Sequence, residues 1–60
     1  MTEESDDHRR ARGIIDVHGD AAAAVARDNA TSAALAGQPV QAKSWIKVLS
    51  IIQQQQSNKA

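Results

Sequence analysis

The residue types best suited to chemistry crowd into one stretch, Gly13-Ile14-Ile15-Asp16-Val17-His18-Gly19-Asp20, with His8 a short way upstream. Histidines beside aspartates suggest a metal ion, with His8, Asp16, His18 and Asp20 as candidate ligands. The spacing argues against it. Two positions apart on a helix point about 200° from one another, so Asp16 and His18 cannot share an ion there. Two histidines and no cysteine also leave too few ligands for a closed zinc site within one chain. The plainer reading places His18 at a helix C-terminus, where its side chain suits the helix dipole, and leaves His8 solvated. Ser5, Ser32, Ser44, Ser50 and Ser57 supply hydroxyls, but no spacing singles out a nucleophile with a base and an orienting acid. A 60-residue chain has little volume for a water-excluding pocket. No catalytic residue, no metal site and no cofactor is expected.

The same stretch resembles the first strand of the amidohydrolase superfamily, where a G-x-I-D-x-H-x-H pattern delivers two metal-binding histidines. Gly13, Ile15, Asp16 and His18 match it, and Asp20 stands where the second histidine belongs. The resemblance covers eight residues of sixty, far too few to close a (β/α)8 barrel. The surrounding helical pattern competes with a strand, so no hydrolase activity is carried over.

His8-Arg9-Arg10-Ala11-Arg12 is the one basic cluster. Arginine forks match phosphates, and Arg9, Arg10 and Arg12 on a helix could track a nucleic-acid backbone. Glu3, Glu4, Asp6 and Asp7 precede them at spacings that allow pairing within the helix, which favours a solvated charged face. Trp45 is the chain's sole aromatic residue, and it belongs to an apolar face rather than to a base-stacking platform.

The elements that would position these residues are all helical. The densest apolar stretch is Val40 to Gln55, in which Ala42, Trp45, Val48, Leu49 and Ile52 share one face at 3.6 residues per turn. Lys43, Lys47, Ser50 and Gln54 lie opposite, Ile46 is marginal, and Ile51 with Val40 lies off the main stripe. Pro39 suits a helix start, where the first amides lack partners in any case. Upstream, Asp20 to Ala36 is a strong helix former. Ala22, Ala23, Ala26, Ala30, Ala33 and Ala34 form a stripe of methyl groups across which Trp45 can lie, and Val25 and Leu35 flank the polar side. Gly37 is the expected C′ residue of a short Gly37-Gln38-Pro39 turn. The first helix shows Ala11, Ile14, Ile15 and His18 on one stripe, with Ser5 as its expected N-cap and Asp6 and Asp7 at the positive end of its dipole. Gly13 weakens it by about 1 kcal/mol relative to alanine. A break is expected at Gly19, with Asp20 capping the next helix; a helix continuing through it is the alternative.

Size and composition set the rest. Hydrophobic residues make up 42% of the chain, but twelve of those twenty-five are alanine, so a monomer has little to build a core from. Without cysteine there is no disulfide to compensate. The first twenty-eight residues hold all seven acids against four arginines, a balance of −3, whereas the remainder holds three lysines and no acid, a balance of +3. That asymmetry suits antiparallel or head-to-tail packing. The polar N-terminus has no signal-peptide run, and no window spans a bilayer, so a cytoplasmic chain with no membrane partner is expected.

Ile14, His18, Gly19, Ala22, Gly37, Ala42, Trp45, Leu49 and Ile52, over residues 11–55, also resemble a pattern found in short, functionally uncharacterised bacterial helical proteins. That resemblance implies three helices and brings no activity. Gln38-Pro39 departs from the group, in which an acidic residue follows the glycine.

The expected architecture is all-α: an antiparallel helical hairpin preceded by a shorter helix, with helices near 6–18, 20–36 and 39–55. Residues 1–5 are expected to be disordered, 6–56 to form one small domain, and 57–60 to be a frayed tail. The expected function is protein–protein interaction, as a homo-oligomer or as an accessory subunit of a larger complex. Ile14, Ile15, Leu35, Trp45, Ile46, Leu49, Ile51 and Ile52 would supply core and interface, and a nucleic-acid-associated regulator using Arg9, Arg10 and Arg12 is the alternative.

Overall fold

In the computed structural model, residues 6–57 are described; the expectations for Ser5 as an N-cap, for residues 1–5 and for residues 58–60 lie outside them. The described chain is all-helical. Helix α1 spans Asp6–His18, a single 3₁₀ turn follows at Gly19–Ala21, and α2 runs from Ala22–Leu35; α3 occupies Pro39–Ser57. No loop separates α1 from α2. The expectation of three separate helices is therefore corrected to two long helical arms, 6–35 and 39–57, the first of them bent at its midpoint. A straight helix over 6–35 would measure about 45 Å at 1.5 Å per residue. The longest dimension of the molecule is 36 Å, so the arm folds back.

Glycine makes that bend. Gly19 takes φ +55, a left-handed conformation that costs a residue with a Cβ about 1–2 kcal/mol, while His18 and Ala21 on either side stay in the right-handed helical region. Asp20 does not cap α2 as expected. It lies inside the 3₁₀ turn, and neither the turn nor α2 begins with a side-chain cap. The joint is held by backbone instead, with the Ala22 amide donating to the Gly19 carbonyl.

The hairpin turn is a Schellman motif. Gly37 at φ +72 is the C′ residue, its amide donating to Ala34 O at 3.1 Å, and the Gln38 amide reaches back to Ala33 O at 2.9 Å. The Gln38 carbonyl then accepts from the Ala42 amide at 2.9 Å, so Gln38 is also the N-cap of α3 and Pro39 its first residue. Ala36 is the C-cap of α2 rather than its last turn.

The core lies where the two arms meet. Ala11 of α1, Ala22 and Ala26 of α2, and Val48 and Ile52 of α3 are fully buried together. Ile14, Ile15, Ala23, Trp45, Leu49 and Ile51 pack around them half-buried. Ala33 continues the buried line of α2 toward the turn, whereas Ala34 is exposed. Three fully buried alanines allow the helices to approach closely, and the molecule is only 17 Å thick, which is why Val48 and Ile52 are the only large side chains fully enclosed among the described residues.

Candidate functional site

Helix α3 is the element on which everything else is mounted. Its covered residues fill about half its circumference, from Ser44 and Ile51 on the side facing α1, through Val48 and Ile52, round to Leu49 and Ala42. Two flanking helices explain why Ile51, expected off the main stripe, is half-buried: α1 supplies a second covered face beside that of α2. Val40 and Ile46 fall at opposite edges of this half and remain exposed, at 79% and 56%.

Two polar ties hold α1 against α3. Ser44 Oγ donates to Asp7 Oδ1 at 2.7 Å near one end, and Gln56 Nε2 donates to the Gly19 carbonyl at 2.9 Å at the other. Each tie joins residues 37 apart in sequence, so α1 and α3 run parallel and in step. Between them the Arg10 guanidinium stands 4.9 Å from the centre of the Trp45 ring, within cation–π range. Helix α2 runs antiparallel to α3 through the hairpin.

These contacts change the standing of several residues. Asp7 is expected from sequence to serve the helix dipole and the arginines of its own helix; its carboxylate also accepts from Ser44 of α3, a serine weighed only as a nucleophile. Arg10, a phosphate contact with Arg9 and Arg12 only in the alternative reading, lies over Trp45. Arg12, like His8, makes an interaction within the structure, and Arg9 is exposed. Trp45 is half-buried against the core. Ile14, Ile15, Leu49 and Ile51 are half-buried and Ile52 is fully buried, whereas Leu35 is 84% exposed on the outer face of α2, together with Ile46 on α3 and Val17 on α1. The sequence signal for the Asp7–Ser44 and Gly19–Gln56 ties is their equal separation, which acquires meaning only once the parallel packing is known.

Gly13 to Asp20 forms the second half of α1 and the start of the 3₁₀ turn, so the strand that the amidohydrolase pattern requires is absent there. Asp16, His18 and Asp20 are all exposed, and among the described residues no group of three histidines, cysteines or acids stands close enough to hold a metal ion. A recess of ≈390 Å³ opens between α1 and α3, lined by Asp7, His8, Lys47, Ser50 and Ile51. A neighbouring one of ≈280 Å³ is lined by Asp7, Val40, Lys43, Ser44 and Lys47. Both are open to solvent, and in the second the Ser44 hydroxyl donates to the Asp7 carboxylate, tying α1 to α3. No described helix is long and apolar enough to cross a membrane. Compared with protein-family models, curated proteins and solved structures, the chain matches none.

Proposed function

We propose that this chain is a small helical interaction module without catalytic activity, working in the cytoplasm as a homo-oligomer or as an accessory subunit of a larger protein. One observation supports the reading above the rest. Four large apolar side chains, Val17, Leu35, Val40 and Ile46, are 56–84% exposed, against two that are fully buried. Single exposed apolar residues are ordinary, but this proportion on so small a chain means that much of its capacity for apolar burial is unspent. The alternative, nucleic-acid contact, has less support, because Arg10 and Arg12 are already engaged within the structure.

Light scattering gives the solution mass, and circular dichroism followed across a roughly hundredfold dilution shows whether helicity depends on association. A dimer or larger species losing helicity on dilution is the expected result. A monomer whose helicity ignores concentration, and which binds no protein, would end this reading. Salt-sensitive retention on immobilised duplex DNA, lost when Arg9, Arg10 and Arg12 are replaced by alanine, would establish the alternative in its place.

A further inference from the structure

The bend between α1 and α2 is centred on Gly19. Among the described residues only Gly19 and Gly37 have positive φ, and Gly37 belongs to the hairpin turn. Helix precedes Gly19 directly, and a 3₁₀ turn leading into helix follows it. Bringing φ of Gly19 from +55 to the helical value, with residues 18–21 settling into α-helical angles around it, would merge α1 and α2 into one straight helix. That rotation removes the turn, restores the i→i−4 bonds missing across the joint, and lifts α1 off α3.

We propose that two copies of this chain exchange their α1 arms by straightening at Gly19, each α1 taking on the partner's α3 the place that it holds on its own α3 in the closed form. The inference rests on the self-association reading above and names its partner and contact. Helix directions allow it. Helix α2 runs antiparallel to α3, so an arm continuing straight from α2 is antiparallel to its own α3. A twofold axis near Gly19 sets the two α3 helices antiparallel, and each straightened arm is then parallel to the partner's α3, as α1 is parallel to α3 in the closed form. The contacts of α1 away from the joint transfer to the partner. Asp7 meets Ser44, Arg10 covers Trp45, and Ala11, Ile14 and Ile15 fill the same ground, now between chains. The loopless joint favours exchange, because no slack segment exists to relieve the bend.

Exchange is read directly by a disulfide. The chain has no cysteine, so Asp7→Cys with Ser44→Cys introduces one pair whose side chains meet only where α1 lies on α3. Mild oxidation of the full chain, followed by non-reducing electrophoresis, separates the cases. Arms exchanged between copies give a covalent dimer, in a fraction that rises with protein concentration, whereas unexchanged arms give a cross-linked monomer. Placing Gly19→Ala in the same background should favour the straight form about tenfold per chain, hence about a hundredfold per dimer, since alanine is strained in the bend and favoured in the helix. D-alanine at position 19, introduced by chemical synthesis, is at ease at positive φ and should lower the dimer fraction. Cross-linked monomer at every concentration, unchanged by Gly19→Ala, would overturn the exchange. If light scattering still shows a dimer in that event, self-association survives through another face; if it shows a monomer, both readings fall. Circular dichroism of each variant confirms that it is folded.

Discussion

Trp45 is the residue on which packing, charge and the N-terminal arm converge. Its ring is half-buried against the alanine-lined core and capped by Arg10, so removing either partner tests a different term. Trp45→Ala should destabilise the fold by about 2–4 kcal/mol, toward the lower part of the range for large-to-alanine changes because the site is not fully enclosed. Arg10→Ala should cost about 0.5–1 kcal/mol, the value of a cation–π contact at an exposed site. Urea denaturation followed by circular dichroism measures both without relying on the tryptophan as probe. The glycines divide in the opposite sense. A Cβ on Gly13 meets nothing within 4 Å, and its φ is not positive, so Gly13→Ala should stabilise α1 by about 0.5–1 kcal/mol. Gly37→Ala should destabilise by about 1–2 kcal/mol, since φ is +72 there although the space is open. The place of Gly37 at the end of α2 was legible from position alone. That Arg10 would face Trp45 was not, because a contact between residues 35 apart depends on how two helices are aligned.

At the scale of the elements, helix identity followed from apolar spacing and from proline and glycine punctuation. The bounds differ by one or two residues, at Ala36 and Ser57 and around Gly19. The larger departure was at the joint. A glycine followed by aspartate reads as a stop and a new cap, but the chain kept coiling through a 3₁₀ turn and left Asp20 in solvent. Faces were legible where one partner covers a helix and misread where two do, as Ile51 shows. The polar ties belong to this scale as well. Ser44→Ala removes a hydrogen bond to a charged acceptor, and it should cost about 1–2 kcal/mol in thermal or urea unfolding. Gln56→Ala should cost less, about 0.5 kcal/mol, because that bond is exposed. Additivity of the two would show that the ends of α1 are held independently.

For the molecule as a whole, thinness governs behaviour. With Val48 and Ile52 the only large side chains fully enclosed among the described residues, stability is distributed over half-buried contacts and two helix pairings of unequal origin. The hairpin of α2 and α3 is local in sequence, whereas α1 reaches α3 only across a separation of 37 residues. Native-state hydrogen exchange should therefore find α1 amides exchanging through a partial opening that leaves the hairpin protected, with lower opening free energies in α1 than at Val48 or Ile52. Equal protection throughout would mean that the three segments open as one unit. The candidate site was legible only as an inventory of apolar residues. Leu35 and Ile46 lie at the surface, and the sequence grouped them with Leu49 and Ile52 as core or interface, because burial depends on which side of α3 each neighbouring helix takes.

Gln38 serves two helices at once, ending α2 with its amide and beginning α3 with its carbonyl. A turn built this way has no spare residue. Inserting or deleting one residue there would turn α3 by about 100° about its axis relative to α2. Val48 and Ile52 would swing out of the core while lysine and glutamine swung toward it. Length, rather than composition, is the property of this connection to which the fold is most sensitive.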